Sequence, residues 1–348
     1  MTIPIDLKKE CDESYPIIIG ELAKLSFNRK VAIITNPKVG GLHLSYLLER
    51  LKAQELYVVT VPDGEDHKTL ETIASILDRL FEHRLDRKSL LIAFGGGVIG
   101  DMTGFAAAIF QRGIEFIQVP TTLLSMVDAS VGGKTGINNR FGKNLIGSFN
   151  QPKAVYIDPY FLSTLPSREF AAGVAEIIKM AVTFDADFFS WLEENDLGNL
   201  ANLQEAIAKS VQIKARVVAM DEKEQGVRAV LNYGHTFGHV IENLEGYGRY
   251  LHGEAVALGM VMANRLAVRV GLLKESEEER IAALLERYGL PRYYRVVDPA
   301  NFYEKFFLDK KSHHNKLTFI LPHGIGGYKI ESGLDQEMLL ALLESFSG

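Results

Sequence analysis

The sequence predicts an α/β amino-terminal domain with a mostly parallel, Rossmann-like sheet, followed by a mainly α-helical carboxyl-terminal domain, with an active site in the cleft between them. Two observations predict this fold class. In the first half, short runs of β-branched residues alternate with amphipathic stretches, as in a right-handed parallel sheet. From about Arg168 onward, strand-like runs almost disappear and long helical stretches follow one another.

Four apolar runs in the first half have the continuous character of strands buried on both faces. They are Val31–Thr35, Leu56–Val61, Ser89–Phe94 and Phe116–Val119. Helical spacing predicts helices between them at Leu42–Lys52 and Thr69–His83. Parallel sheets bind ligands at the carboxyl ends of their strands, so the residues after each run are the first candidates for a site.

The second half is predicted to be helical except for one hairpin. The predicted helices are Arg168–Phe184, Leu200–Met220, Leu231–Leu244, Gly253–Val270 and Glu277–Tyr288. Two strand-like runs, Lys316–Leu321 and Tyr328–Ile330, flank a glycine-rich turn and indicate the hairpin. We place the domain boundary near Tyr160–Pro166, which gives domains of residues 1–163 and 164–348.

Composition excludes several classes of function. The 348 residues carry a formal net charge of −6, which disfavours nucleic acid and anionic membrane surfaces as partners. The single cysteine, Cys11, allows no intrachain disulfide. We expect no signal peptide, because the first ten residues lack an apolar core, and the most apolar stretch, Ala255–Ala263, is too short to span a bilayer. We therefore expect a cytoplasmic protein.

A glycine-rich turn, Gly95–Asp101, follows the third apolar run and opens a helical stretch. Its amides and the positive helix end suit a pyrophosphate, although glycine needed only for the turn geometry explains the motif equally well. Two other strand ends add polar groups. Pro62-Asp63-Gly64-Glu65 offers carboxylates for ribose hydroxyls, and Thr121-Thr122 offers hydroxyls near phosphates.

The run from Asp128 to Asn144 is dense in glycine and in groups that bind oxyanions. We expect it to be a functional loop in which Lys134, Lys143 and Asn144 converge, because long loops without secondary structure are uncommon unless functional. A solvated surface loop is the alternative. The ending Gly-Lys-Thr is not a Walker A motif, since aspartate stands where that motif needs its first glycine.

Three of the nine histidines are flanked by glycines and suggest a metal site: His235, His239 and His252. His235 and His239 are four residues apart, so on a helix they share a face and can bind one ion. Glu176 lies among apolar neighbours, where a buried acid needs a metal or a partner such as Lys179. The remaining histidines are assigned to core or surface positions.

Taken together, these segments resemble the 3-dehydroquinate synthases of the sugar-phosphate cyclase family, from about Ile33 to Lys311. The motifs that carry the resemblance are Pro62-Asp-Gly-Glu, Gly95-Gly-Gly-Val-Ile-Gly-Asp, Phe110-Gln-Arg-Gly, Val119-Pro-Thr-Thr-Leu-Leu, Asp128-Ala-Ser-Val-Gly-Gly-Lys-Thr, Gly142-Lys-Asn-Leu-Ile-Gly, Gly173-Val-Ala-Glu, Leu231-Asn-Tyr-Gly-His-Thr-Phe-Gly-His and His252-Gly-Glu-Ala-Val-Ala.

The resemblance implies roles for individual residues. It assigns a divalent metal, zinc or cobalt, to Glu176, His235 and His252, and turns His239 toward the substrate. It assigns NAD to Asp63, Glu65, Lys68, Gly97, Val98, Ile99, Gly100, Asp101, Thr121, Thr122, Lys134, Lys143, Phe161, Leu162, Ser163 and Thr164. It assigns a phosphorylated sugar-acid substrate to Arg112, Asp128, Lys134, Asn144, Lys179, Lys214, Arg228, Asn232, His239 and Lys310.

The implied reaction converts 3-deoxy-D-arabino-heptulosonate 7-phosphate to 3-dehydroquinate and phosphate, by a homodimeric enzyme. Three alternatives stay open at this point. They are a metal- and NAD-dependent polyol dehydrogenase of the glycerol dehydrogenase type, another cyclase such as 2-deoxy-scyllo-inosose synthase, and a catalytically inactive nucleotide-binding regulator.

Overall fold

The computed structural model describes residues 12–246, 248–309 and 317–347. The strands of these residues are β1 (Ile17–Ile19), β2 (Leu25–Thr35), β3 (Leu51–Thr60), β4 (Leu90–Gly95), β5 (Glu115–Pro120), β6 (Lys134–Asn139), β7 (Gly142–Phe149), β8 (Val155–Ile157), β9 (Thr318–Pro322) and β10 (Tyr328–Ser332).

The helices are α1 (Pro37–Glu49), α2 (Leu70–Glu82), α3 (Gly97–Ile109), α4 (Ser167–Phe184), α5 (Ala186–Glu194), α6 (Leu200–Met220), α7 (His235–Glu245), α8 (His252–Arg269), α9 (Glu275–Arg287), α10 (Pro299–Asp309) and α11 (Gln336–Glu344). Short 3-10 turns cover Glu65–His67, Phe110–Arg112, Pro159–Thr164 and Val227–Asn232, and a π-helical turn covers Ser125–Ala129.

A six-stranded parallel sheet organises the first half in the order β1-β8-β5-β4-β2-β3. The chain moves outward from β2 to β3, then returns to the other side of β2 with β4. Ligands of such sheets bind where the direction of winding reverses, outside the carboxyl ends of the strands. That point lies between the ends of β2 and β4, where Asn36 and Gly96 follow the strands.

Alternate residues of the central strands enter two different cores. Val31 and Ile33 belong to one cluster, which extends into the helices of the second half. Ala32 and Ile34 point the other way, into a cluster with residues of α2 and α3. The sheet is therefore buried on both faces, which explains why its strands are continuous apolar runs in the sequence.

Local sequence signals start the first helices. The Asn36 side chain accepts a hydrogen bond from the Val39 amide at 2.8 Å, and Pro37 occupies the first turn of α1. The Thr69 side chain caps α2 in the same way, through the Thr72 amide. These caps satisfy amide groups that the helix itself leaves unpaired.

The predicted parallel sheet with a helix-rich second half is confirmed. The late hairpin is also present, as antiparallel β9 and β10. Several bounds differ. The first helix ends at Glu49 and not at Lys52, because β3 already begins at Leu51.

The prediction of an irregular loop at 128–144 is wrong. Most of this run forms the antiparallel hairpin β6–β7, which packs on α3. The helix predicted at 231–244 is present but begins later, at His235, because Gly234 has a φ of +81° and separates the Val227–Asn232 turn from α7. Glycine adopts that left-handed conformation without steric cost.

None of the helices in the described ranges combines the length and the apolar composition needed to cross a membrane.

The contact between α7 and α8 yields a stability prediction. A methyl group on Gly259 of α8 would overlap the carbonyl oxygen of Gly234 and lie 2.7 Å from the Gly238 amide nitrogen. We expect Gly259→Ala to lower the free energy of unfolding by about 1–3 kcal/mol or more. Urea denaturation measures this change.

Gly41→Ala is the matched control. Gly41 lies in α1 with open space around it and without a positive φ, so alanine is expected to raise stability by about 0.4–1 kcal/mol. Equal stabilities for the two variants would show that α7 and α8 do not pack as closely as described.

Candidate active site

The start of α3 forms an open amide surface at the carboxyl edge of the sheet. Gly96 precedes the helix and has no side chain with which to cap it. A methyl group on Gly100 would lie 2.7 Å from the Gln118 side-chain oxygen, so glycine at this position lets α3 pack against β5. Ile99 is buried beneath this turn. The free first-turn amides and the helix dipole suit an anionic ligand.

Two buried hydroxyls at this edge have no hydrogen-bond partner among the described residues. They belong to Thr35, at the end of β2, and Thr121, directly after β5. Thr122 differs, since its hydroxyl pairs with Ser125 at 2.9 Å. A buried hydroxyl without a partner is costly, so Thr35 and Thr121 fit a site whose ligand supplies the missing bond.

A polar pair connects the ends of β2 and β3. The Asn36 amide donates to the Asp63 carboxylate at 2.7 Å. Asn36 is buried, and its own side-chain oxygen caps α1. Asp63 is therefore held at the sheet edge by a residue that the sequence analysis did not select, although its position before Pro37 marks a helix start.

Lys68 is a buried cation that joins two elements of the first half. Its ammonium lies 2.5 Å from the Asp101 carboxylate and also contacts the side-chain oxygen of Asn144. Glu65 accepts a hydrogen bond from Asn138 at 2.7 Å. The Glu65–Lys68 segment is thus fixed to the β6–β7 hairpin and to α3.

The segment after β8 divides into buried and exposed residues. Phe161 and Leu162 are core side chains, whereas Ser163 and Thr164 face solvent. The Thr164 hydroxyl bonds to Nε2 of the buried His43 at 2.7 Å. Burial lowers the pKa of His43, so it is a neutral hydrogen-bond partner near neutral pH. The side chains of Phe161 and Leu162 are therefore not accessible to a cofactor.

A π-helical turn presents Asp128 to the helical half of the molecule. The Lys214 ammonium, from α6, lies 2.7 Å from the Asp128 carboxylate and 2.5 Å from its carbonyl oxygen. Burial acts to raise the pKa of Asp128, but the charges of Lys214 and Lys179 hold it well below its usual range. Burial lowers the pKa of Lys214, against the attraction of Asp128. Such π-helical turns occur often at functional sites.

Glu176 lies at the centre of the helical half with 0% of its surface exposed. Both of its carboxylate oxygens lack a hydrogen bond of normal geometry among the described residues, although the Lys179 ammonium lies against one of them. The Nε2 atoms of His235 and His252 lie 3.9 Å and 4.0 Å from the other oxygen. Burial of a carboxylate is costly unless its oxygens are hydrogen-bonded or bound to a metal, so these two oxygens fit a metal ligand.

Donor atoms of Glu176, His235 and His252 lie within 4.8 Å of one another, as the ligands of one metal ion would. Close packing allows this arrangement, because a methyl group on Gly253 would overlap the backbone of Ala172 in α4. Burial, followed by the charges of Lys179 and His252, lowers the pKa of His235 well below its usual value. His235 is therefore neutral and its nitrogen is available to a metal, as in three-ligand zinc sites.

The hypothesis that His235 and His239 are the ligand pair is not what the geometry favours. The ring centroids of these two residues are 5.5 Å apart. However, the donor atoms that lie within 4.8 Å of those of His239 belong to Glu242 and His252. The His235 donor instead faces Glu176 on α4. Helical spacing alone could not reveal this, because the carboxylate comes from a distant element.

Lys134, Lys143 and Asn144 do not converge on one point. Lys134 pairs with Glu224, which also accepts from Asn232 at 2.7 Å. Lys143 and Asn144 are neighbours in β7 and point to opposite faces, Lys143 toward Glu242 and Asn144 toward Lys68. The hairpin thus distributes its polar side chains among three places.

The last predicted substrate residues differ in accessibility. Arg112 is exposed at the end of a 3-10 turn, with a φ of +68°. Arg228 is 2% exposed and donates to the carbonyl oxygens of Gly132, at 2.9 Å, and Glu222. Its guanidinium is therefore bound by backbone carbonyl groups. Lys310 lies outside the described residues.

Comparison with known proteins decides the family. Residues 58–172 match the family model for the amino-terminal part of 3-dehydroquinate synthase, and residues 173–312 match that for its carboxyl-terminal part. The 3-dehydroquinate synthase of Nitratiruptor sp. is 63% identical over 346 residues, covering 99% of both chains. The chain belongs to the 3-dehydroquinate synthase family.

Solved structures of other cyclases share the fold of this 3-dehydroquinate synthase family member. A 2-epi-5-epi-valiolone synthase from Streptomyces hygroscopicus with NAD+ and Zn2+ bound is 27% identical, with a TM-score of 0.85 and 99% of each chain covered. A 2-deoxy-scyllo-inosose synthase complexed with carbaglucose-6-phosphate, NAD+ and Co2+ is 26% identical, with a TM-score of 0.81 over 92% of this chain and 91% of that one.

Three residues at the site escaped the sequence analysis of this family member. Glu224 has a left-handed backbone, with a φ of +57°, and contacts both Lys134 and Asn232. Glu242 contacts Lys143 and His252. Asn36 holds Asp63. Glu242 occurs seven residues after His235, so a search of the α7 face that carries the histidines would have found it.

The buried Glu176–Lys179 pair yields a prediction for the metal-free protein. Glu176→Gln leaves the Lys179 ammonium buried without its nearest opposite charge, which is expected to cost about 3–5 kcal/mol. In the double variant Glu176→Gln/Lys179→Met most of this stability returns, since both charges are gone. Urea denaturation in the presence of a chelator measures both.

Zinc affinity gives the second half of that test. Both variants are expected to bind zinc at least 100-fold more weakly than the unmodified chain, because one ligand is missing. Competition with a chromophoric chelator measures the affinity. Zinc binding of unchanged strength in the double variant would exclude Glu176 as a ligand.

Proposed function

We propose that this chain catalyses the 3-dehydroquinate synthase reaction, in which 3-deoxy-D-arabino-heptulosonate 7-phosphate becomes 3-dehydroquinate and inorganic phosphate. The observation that carries the proposal is the Glu176–His235–His252 cluster, placed next to the buried cations Lys179 and Lys214. A three-ligand cluster suits a Lewis-acidic metal, and adjacent cations suit an anionic substrate. The chain's similarity to enzymes of this name over nearly their whole length supports the same conclusion.

Two cofactors belong to this proposal. When bound, NAD supplies a reversible hydride acceptor for the C5 hydroxyl carbon, and the divalent metal, zinc or cobalt, supplies a Lewis acid for the neighbouring hydroxyl oxygens. Glu176, His235 and His252 would hold the metal. The α3 amino terminus and Thr121 would hold NAD, together with the other residues that the resemblance assigns to it.

Fixed charges of the chain position the substrate in this proposal. Asp128 stays ionised, because Lys214 and Lys179 outweigh burial in setting its pKa, so it accepts a hydrogen bond from a substrate hydroxyl. Lys134 and Asn232 contact Glu224 and become available to an anionic substrate when that contact opens. His239 faces the same cluster from α7.

The proposed series of reaction steps involves no net oxidation or reduction of the substrate. Oxidation at C5 acidifies the C6 hydrogen, and the C7–O bond then breaks with loss of phosphate. The departing phosphate takes the C6 proton, so no protein base is required. Reduction back to the alcohol at C5 would use the hydride held by NAD. The ring then opens by cleavage of its C2–O bond, which gives a C2 ketone and a C6–C7 enolate. C7 of the enolate attacks C2, and the C2 oxygen takes a proton as the carbocycle closes. The enzyme is therefore a phosphate-eliminating carbon–oxygen lyase, and we propose that it acts as a cytoplasmic homodimer.

The unpaired Thr121 hydroxyl yields a prediction for NAD. Thr121→Val removes this hydroxyl and keeps the shape, so stability is expected to be unchanged or slightly higher. NAD affinity is expected to fall by the value of one hydrogen bond, about 0.5–1.5 kcal/mol or roughly 2- to 12-fold. Isothermal titration calorimetry measures the affinity.

Thr103→Val is its matched control. Thr103 also has a buried hydroxyl without a partner among the described residues, but it lies in the second turn of α3. NAD affinity is expected to be unchanged in this variant. An equal loss of affinity in both variants would mean that Thr121 makes no bond to NAD.

The activity is tested by supplying the heptulosonate phosphate with catalytic NAD and following phosphate release. Release is expected without accumulation of NADH, to stop after chelation, and to return when zinc or cobalt is added. Release that ignores both NAD and the chelator would overturn the mechanism. Accumulation of NADH with glycerol, without phosphate release from the heptulosonate phosphate, would instead indicate a polyol dehydrogenase. A chain that shows neither turnover nor bound metal would be an inactive regulator.

A further inference from the structure

Glu242 contacts two residues that the proposed function assigns to different cofactors. One of its carboxylate oxygens lies 3.2 Å from the Lys143 ammonium and 3.6 Å from Nδ1 of His252. Glu242 is 6% exposed. The Glu242 carboxylate therefore interacts with Lys143 of the β6–β7 hairpin and with His252 at the start of α8. Because it is buried, water screens these interactions little.

The two ring nitrogens of His252 face two different carboxylates. Nε2 lies 4.0 Å from Glu176, and Nδ1 faces Glu242. A histidine that binds a metal through one nitrogen usually donates its other N–H to a carboxylate, which fixes the tautomer and raises the basicity of the ligand. At 3.6 Å the Nδ1–Glu242 contact needs to shorten by about half an ångström to become a normal hydrogen bond.

Lys143 competes with His252 for the same oxygen. The hairpin that carries Lys143 packs on α3, whose amino terminus faces the proposed NAD site. A pyrophosphate that attracts the Lys143 ammonium withdraws positive charge from Glu242. The Glu242 carboxylate then interacts mainly with His252 and with any metal bound by that histidine. This interaction increases the basicity of His252 and makes it a stronger metal ligand.

We propose that Glu242 is a positioning residue that orients His252 and makes metal affinity depend on NAD occupancy. NAD bound at Lys143 raises the affinity of the site for zinc, and by thermodynamic reciprocity zinc raises the affinity for NAD. This inference rests on the proposed function, which assigns the metal to Glu176, His235 and His252 and includes Lys143 among the residues that hold NAD.

His239, Glu242 and His252 also lie close enough together to hold a cation of their own. If Glu242 were a ligand of such a second ion, the chain would bind two zinc ions and lose one in a Glu242 variant. The number of zinc ions bound per chain therefore separates a positioning role from a ligand role.

The test measures zinc affinity and stoichiometry by competition with a chromophoric chelator, with and without saturating NAD+. In the unmodified chain, NAD+ is expected to raise zinc affinity about 5-fold or more, at one ion per chain. Glu242→Gln is expected to lower zinc affinity about 10- to 100-fold and to remove the effect of NAD+. Lys143→Met is expected to bind zinc more tightly than the unmodified chain without NAD+, and to show no NAD+ effect.

Glu245→Gln is the matched control, because Glu245 lies in the same helix and pairs with Arg249 and Tyr294, away from the metal cluster. Its zinc affinity and its NAD+ effect are expected to equal those of the unmodified chain. Circular dichroism melting confirms that each variant is folded. The absorption spectrum of bound Co2+ reports changed ligand geometry in Glu242→Gln without any assay of activity.

Three results would overturn the inference: zinc affinity in Glu242→Gln equal to that of the control, zinc affinity of the unmodified chain that ignores NAD+, or two zinc ions per chain. Failure of the proposed metal site looks different, because zinc would then bind Glu176→Gln as tightly as the unmodified chain. Failure of the NAD assignment would appear as absence of NAD+ binding in calorimetry.

Discussion

The site depends on the negative charge of one carboxylate, that of Glu176, which has no access to water. Glu176 is fully buried in α4, and desolvation of a carboxylate costs several kcal/mol unless other charges compensate. Lys179 supplies one such charge from the next turn of the helix. Under the proposed function, a metal ion held by the two histidines and the other carboxylate oxygen would satisfy that oxygen. Fold stability and metal binding would then depend on the same few atoms.

The surrounding elements are organised by this arrangement. The α8 amino terminus reaches α4 only because Gly253 has no side chain, and α7 meets α8 closely at Gly259. From the sheet side, the π-helical turn brings Asp128 to Lys214 and near Lys179. An acidic group from the first half of the chain is therefore paired with cations from the second half. A substrate with a carboxylate and a phosphate meets cations that are already fixed in position, which reduces the entropy lost on binding.

The β6–β7 hairpin gives the clearest case in which sequence reasoning failed. Its residues are rich in glycine, asparagine and lysine, which favour loops, and the propensity argument indicated an irregular segment. The hairpin forms because it packs on α3, where a methyl group on Gly104 would overlap the Thr135 side chain. Tertiary packing thus overrode local propensity. The same packing determines which face of β7 carries Lys143 and which carries Asn144.

The sequence by itself determined the parallel sheet, the helical second half and the identity of the metal-ligand candidates. Apolar runs, caps such as Asn36 and the glycine turn are local signals, and family motifs such as Gly173-Val-Ala-Glu are distinctive enough to read without coordinates. The family resemblance grouped Glu176, His235 and His252, but residue spacing did not, and the contacts around these residues were decided only by the tertiary structure. Glu176 and His252 are far apart in the chain, and periodicity paired His235 with His239 because it describes neighbours on a single helix. Long-range contacts such as Lys143–Glu242 and Lys134–Glu224 depend on how whole elements pack, which no spacing of residues along the chain encodes.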